Sequence, residues 1–313
     1  LNDNIVSFIF PNGYDKNYVL IIDPTLIAAT LSGTIGADNY GHTATYGNEG
    51  EIFTGAISFG AGYPTNSGSF QSNHAGSTDI AISKLNSDGS ALLWATYLGG
   101  GSSDYPHSMI VNSLNELYVY GSTNSTDYPA SSNAFQGNNQ GNSDIIITHL
   151  SQDGSNIIGS TYIGGSGEDG RNWISWNYGD TYRGEVMVDK MDNPFIASVS
   201  SSNDFPVTAG VLQNNNAGGQ DGVICKLNPD LSNLEWSTYL GSSFDDAAYG
   251  LRIDGNQNIY VTGSASSGFP TTIGSAIPNF IGGSHDAFIC KISPQGNTLL
   301  ASSYFGSTDR DES

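Results

Sequence analysis

The chain has 313 residues, with 40 Gly, 17 Tyr and 13 Phe, and 30 acidic against 9 basic side chains give it a net charge of −21. That charge excludes a nucleic-acid partner and an anionic membrane surface, and so many aromatics exclude a disordered chain. No run is apolar for long enough to insert in a membrane as a helix, and no stretch keeps a helical period, so the composition is that of an all-β protein rich in turns.

Residues 1–25 stand apart. Ile5 to Phe10 and Tyr18 to Ile22 read as two strands joined by Pro11-Asn12-Gly13-Tyr14, and Asp23-Pro24 punctuates their exit. This stretch is expected to be the end of a preceding β-domain or a lead-in hairpin. Leu1-Asn2-Asp3-Asn4 is not the charged start of a signal peptide, and there is no initiator Met, so the sequence reads as a segment of a longer chain.

Residues 26–313 repeat. Four hairpins begin at Asp79 (DIAISKLNSDGSALLWATYLG), Asp144, Asp221 (DGVICKLNPDLSNLEWSTYLG) and Asp286. Each keeps one and the same interval between its opening Asp and a later Tyr: Asp79 to Tyr97, Asp144 to Tyr162, Asp221 to Tyr239 and Asp286 to Tyr304. A spacing kept in every copy marks a fixed supersecondary unit. Between hairpins lies a second strand pair, as in LRIDGNQNIYVTGSA from Leu251, then a loop holding Tyr63-Pro64, Tyr128-Pro129, Phe205-Pro206 or Phe269-Pro270. Each repeat is therefore four antiparallel strands, A to D, and four-stranded units in series are the blades of a β-propeller. The predicted blades cover about 41–100, 106–164, 182–241 and 247–306. A leading D strand over 26–33, with Leu31 at the Tyr position, and Asp309–Ser313 heading toward another A strand predict a sector of a six- to eight-bladed ring. Cys225 and Cys290 sit at equivalent positions of successive repeats, which predicts no disulfide between them.

The D-to-A and B-to-C connections of such a unit share one face, and candidate chemistry is sought there. The D-to-A loops carry Asp104, Glu168 with Asp169, and Asp245 with Asp246. These carboxylates are candidate calcium ligands, although none has the spacing of a dedicated calcium loop, and the plainer reading is that they cap turns. Asp79, Asp144, Asp221, Asp286 and the four Tyr recur in every blade, so they are assigned to blade geometry rather than chemistry. Trp94 and Trp236 share one position and fall under the same reading.

One interval breaks the rule. Tyr97 to Tyr162 and Tyr239 to Tyr304 are equal steps, but Tyr162 to Tyr239 is longer. The added stretch, RNWISWNYGDTY from Arg171, brings Trp173, Trp176, Tyr178 and Asp180. Aromatic faces stack on sugars and anchor protein partners, and insertions on one face of a repeat protein carry binding. The competing reading folds these Trp residues back over a blade edge. The five His, among them His42 and His107, are scattered with no metal-ligand spacing, and no nucleophile elbow, P-loop or glycosidase dyad stands out.

Asp286-Ala287-Phe288, Trp236-Ser237-Thr238-Tyr239-Leu240-Gly241, Tyr260-Val261-Thr262-Gly263 and Asp204-Phe205-Pro206 resemble the SBBP repeats of bacterial β-propellers, over roughly residues 24–313. The first repeat matches least, with Leu31-Ser32 in place of the aromatic-aliphatic pair. Such repeats are common in very large secreted proteins of Bacteroidetes, often substrates of the type 9 secretion system. The resemblance implies an extracellular, non-enzymatic role in adhesion, scaffolding or appendage architecture, with other domains or copies of the same protein as partners. A carbohydrate-binding module using residues 171–182, with a cell-surface glycan as partner, is the second reading. A polysaccharide-active enzyme at the propeller mouth is the third.

Overall fold

The structure, a computed structural model, describes residues 33, 36, 38–174, 178–309 and 311, with only the backbone of Tyr178. The expected hairpin of residues 1–25, the leading strand except Gly33, and Trp176 lie outside the described residues. Sixteen strands make four four-stranded sheets, each a simple antiparallel meander. Blade 1 is β1 (Asn39–Tyr46), β2 (Ile52–Ser58), β3 (Asp79–Leu85) and β4 (Leu92–Leu98). Blade 2 is β5 (Asp104–Val111), β6 (Leu117–Thr123), β7 (Asp144–Leu150) and β8 (Ile157–Ile163). A single-turn helix, α1 (Tyr178–Thr181), precedes blade 3: β9 (Glu185–Val188), β10 (Pro194–Ser200), β11 (Asp221–Leu227) and β12 (Leu234–Leu240). Blade 4 is β13 (Ala247–Ile253), β14 (Ile259–Ala265), β15 (Asp286–Ile292) and β16 (Leu299–Phe305).

Turn chemistry sets the meander. The hairpin between the first two strands of every blade needs one residue in the left-handed region, supplied by Gly50, Asn115, Asp192 and Gln257 at φ 86°, 62°, 62° and 66°. Strand pairing places Ala56 level with Gly121, Ser198 and Gly263. The middle strands β3, β6, β7 and β10 are buried along their whole length.

The cores lie between blades. Phe53, Ile82 and Trp94 of blade 1 pack on Met109, Val119 and Ile146 of blade 2. Tyr118 and Ile147 of blade 2 pack on Val186, Ile196 and Val223 of blade 3. Phe195, Ile224 and Trp236 of blade 3 pack on Leu251, Val261 and Phe288 of blade 4. The recurrent Tyr ties the last strand to the loop after the second. Tyr97 Oη accepts from Tyr63 N–H at 2.8 Å, and Tyr162, Tyr239 and Tyr304 donate to the carbonyls of Ser125, Ser202 and Ser266 at 3.1, 2.5 and 2.7 Å. The recurrent Asp closes the loop into the third strand: Asp79, Asp144, Asp221 and Asp286 accept backbone N–H groups of Ala75, Gln140, Ala217 and Ile281 at 2.7–2.9 Å. Cys225 and Cys290 are free and buried. Strands β1, β5, β9 and β13 follow one another around an axis, and among the described residues the four sheets do not close a ring.

Candidate functional site

The axis is where the repeats stop being alike. Register slips between Gly41 and Thr43 in β1, between Pro106 and Ser108 in β5, and between Ala248 and Gly250 in β13. Each slip is a bulge that leaves one residue unpaired and re-aims its side chain. The bulged residues are His42, His107 and Tyr249, and Gly184 holds the same position in blade 3. Gly184 has φ 149°, and a Cβ on it would lie 2.4 Å from Tyr120 Oη, so blade 3 brings no side chain there. The end of the insertion fills that sector instead. His42, His107, Asp180, Tyr182, Arg183 and Tyr249 border one cavity of about 630 Å³, within the ~300–1,000 Å³ range of small-ligand sites.

Packing fixes these groups. His42 Nε2 donates to the Tyr182 carbonyl at 3.0 Å, pinning blade 1 to the insertion. The Tyr182 ring stacks on Tyr105 at 4.1 Å and tilts toward His107 at 5.8 Å. His107 is buried, and its Nε2 lies 3.0 Å from Ser122 Oγ. Burial, with His42 nearby, holds the His107 pKa well below the usual imidazole value, so the ring is neutral at neutral pH. Its Nδ1 has no hydrogen-bond partner among the described residues. Arg183 lies 4.2 Å over the Tyr249 ring and 3.8 Å from Asp180 Oδ1. Asn172 Nδ2 donates to Tyr249 Oη at 2.8 Å, and Gln220 Nε2 donates to Asn172 Oδ1 at 2.9 Å, so a buried amide pair orients that phenol. The lining thus brings one cation, one anion and a neutral imidazole together, backed by two buried tyrosines.

The insertion is divided between axis and surface. Asn172, Ile174 and Tyr182 are buried, and Ile174 packs with Val199, Ala247 and Tyr249. Trp173 points outward, 52% exposed, with its indole N–H on Glu168 Oε2 at 2.7 Å. Of the side chains picked from this stretch, Asp180 reaches the cavity, Trp173 does not, and Trp176 and the Tyr178 side chain lie outside the described residues. Tyr182 and Arg183 were missed, as were His42, His107 and Tyr249. The signal was present: positions 42, 107, 184 and 249 are spaced along the chain as Tyr97, Tyr162, Tyr239 and Tyr304 are.

The acidic D-to-A residues have the geometry of turn caps. Asp104 accepts from Gly100 N–H at 2.8 Å and from the hydroxyls of Thr123 and Ser125. Asp169 accepts from Gly165 N–H at 2.7 Å and from Ser200 and Ser202. Asp246 accepts from Ser242 and from Ser266 N–H at 2.7 Å. Burial raises all three pKa values, against these hydrogen bonds, to about 6 for Asp104 and Asp246. Glu168 is 3.7 Å from Arg171, and Asp245 accepts from Gln220 N–H at 2.9 Å beside an open groove with Phe244, Phe280 and His285. Among the described residues no three His, Cys, Asp or Glu side chains come together as a metal-ligand group.

The SBBP family, a β-propeller repeat, matches residues 93–129 and 235–270, and both matches run from a fourth strand into the next blade. These two stretches match SBBP β-propeller repeats. No curated protein is similar to it. Similar solved structures are distant. A protein of unknown function from Dyadobacter fermentans DSM 18053 shares 12% identity at a TM-score of 0.43, over 89% of this chain and 71% of that one. A thermostable family-43 glycoside hydrolase shares 10% at 0.38, over 88% and 75%. A putative hydrolase from Bacteroides ovatus ATCC 8483 shares 10% at 0.35, over 90% and 72%. The repeated blades supply the scaffold, and the side chains that depart from the repeat supply the cavity.

Proposed function

We propose that these SBBP repeats form a non-catalytic binding propeller of an extracellular surface protein, and that the axial cavity takes a neutral, polyhydroxylated ligand, a sugar residue of a glycan. The observation that carries this is the cavity of about 630 Å³ bordered by the neutral His107 and the Asp180–Arg183 pair. A cavity bordered by hydrogen-bonding groups of balanced charge suits ligand hydroxyls, which donate or accept as required. Asp180 and Arg183 balance in charge, so a charged ligand gains little there.

Glycoside hydrolysis at the same place is less well supported. Its usual mechanism needs two carboxyl groups flanking the bond, and the described lining holds one, Asp180. Adhesion or scaffolding through glycan capture is consistent with the acidic, aromatic-rich composition. The test is a glycan array followed by calorimetry with Arg183→Ala and Trp173→Ala. Binding weakened about tenfold or more by the first and unchanged by the second is expected, since a lost charge-assisted hydrogen bond is worth ~1.5–3 kcal/mol. No glycan bound, or binding lost only with Trp173→Ala, rejects the axial site. Turnover of the bound glycan replaces binding with catalysis.

A further inference from the structure

The inner strand of blade 4 lacks a side chain where the other inner strands have one. The residues that follow positions 42, 107, 184 and 249 are Thr43, Ser108, Glu185 and Gly250, paired with Gly55, Tyr120, Ala197 and Thr262. Gly250 does not lie in the left-handed region, so no turn requires glycine there. Its effect is on space. A Cβ at this position would stand 2.7 Å from Thr262 Oγ1, closer than side-chain atoms approach.

Gly250 and Thr262 border the axial cavity and also a second one, of about 470 Å³, whose wall is completed by Glu185, Leu251, Arg252, Tyr260 and Ile289. The two follow each other along the strands. Arg183 borders the first and Glu185 the second, and two residues of extended chain span about 7 Å, the scale of one sugar ring. The second cavity repeats the charge pattern of the first. Arg252 pairs with Glu185 Oε1, and Glu185 Oε2 accepts from Leu251 N–H at 2.6 Å, so both carboxylate oxygens are engaged. Glu185 therefore holds the guanidinium in place and is not poised as an acid or base. Among the described residues the hydrogen bonds of Arg252 all run through Nη1, which leaves its Nε and Nη2 donors for a ligand.

We propose that the two cavities are consecutive subsites of one groove, and that the ligand is a neutral oligosaccharide whose chain passes over Gly250, with one sugar beside Asp180–Arg183 and the next beside Glu185–Arg252. This rests on the sugar reading of the axial cavity and adds to it a chain length and a direction along the axis. Balanced ion pairs in series suit a ligand that carries hydroxyls along its length and no net charge. An acidic chain would meet Asp180 and Glu185 as well as the arginines. Gly250 is the specificity-determining residue, because any side chain there narrows the passage between the subsites.

Calorimetry tests this with glucose, galactose, mannose and N-acetylglucosamine, each beside its β-linked dimer, on wild type, Gly250→Val and Arg252→Ala. In wild type at least one dimer is expected to bind about tenfold more tightly than its own monomer, the worth of one charge-assisted hydrogen bond. Each variant is expected to bring dimer and monomer affinities together. Gly250→Val presses on Thr262, so its fold is checked by thermal melting, and Arg252→Ala, which truncates an exposed side chain, decides the matter if that variant unfolds. Equal affinity of wild type for monomer and dimer overturns the inference and leaves a site for a single sugar. So does a preference for the dimer that Arg252→Ala leaves intact. Binding of none of these sugars rejects the sugar reading itself, and the inference with it.

Discussion

Gly154 lies flat against the indole of Trp94: it has φ 67°, and a Cβ on it would sit 2.6 Å from the ring. Trp94 belongs to blade 1 and Gly154 to the last hairpin turn of blade 2, and the indole N–H donates to Gln152 O in that turn at 3.0 Å. Trp236 and Gly296 repeat the pair between blades 3 and 4, with the indole on Pro294 O at 3.1 Å. Between blades 2 and 3 the pair is inverted. Gly159 takes the Trp position, and Leu231, buried at φ 60°, takes the Gly position. The large side chain has crossed the junction.

The inversion predicts coupling. Leu231→Gly alone opens a cavity and is expected to destabilise by about 2–4 kcal/mol, less whatever is recovered from the left-handed backbone. Gly159→Trp alone clashes, because a Cβ there would meet Asp230 O at 2.3 Å. The double variant restores the arrangement of the other junctions and is expected to be at least about 1 kcal/mol more stable than the sum of the two losses. Denaturant titration of the four proteins measures this, and strict additivity would contradict the pairing.

Stability is predicted to fall with rising pH because of the carboxyls at blade junctions. Burial raises Asp144 and Asp221 to about 7 from 3.8, helped by the neighbouring Asp169 and Asp246 respectively. A raised folded-state pKa means the folded protein holds the proton more tightly. That stabilisation is complete below about pH 4 and is lost as pH rises through about 7. His107 and His149, both held low by burial, act in the opposite sense as pH falls below 6.5. Asp221→Asn keeps the acceptor for Ala217 and Gln213 and removes the buried charge. Its urea midpoint is expected to gain on wild type by the equivalent of about 1–2 kcal/mol between pH 5 and pH 8. Parallel midpoints at the two pH values would refute this.

Tyr249→Phe separates positioning from binding. It leaves Asn172 Nδ2 without the partner it has at 2.8 Å, so a stability loss of about 1–2 kcal/mol is expected. Trp173→Ala is expected within about 0.5 kcal/mol of wild type, since the ring is half in solvent. Thermal melts of both variants check the pair, and a larger loss at Trp173 would mean that its ring covers a blade edge.

The fold was legible because its repeats are exact where geometry demands it. The constant interval from Asp144 to Tyr162, from Asp221 to Tyr239 and from Asp286 to Tyr304 is the span of one closed hairpin, and the Tyr hydroxyl reaches one particular loop carbonyl each time. The cavity was harder to read for the opposite reason. His42, His107 and Tyr249 share a position but not a chemistry, a bulge hides each from strand alternation, and Gly184 breaks the series. The insertion misled through Trp173, whose size suggested function, while the smaller Asn172 turned inward to orient Tyr249.

The most direct test of the central claim is long-range ¹H–¹⁵N imidazole NMR of the wild-type protein, titrated with neutral mono- and disaccharides (glucose, galactose, mannose, N-acetylglucosamine and their β-linked dimers). The account predicts a saturable shift of the His107 imidazole resonances with at least one of these sugars, abolished by Arg183→Ala. A sugar that binds while the His107 imidazole resonances stay fixed would contradict it.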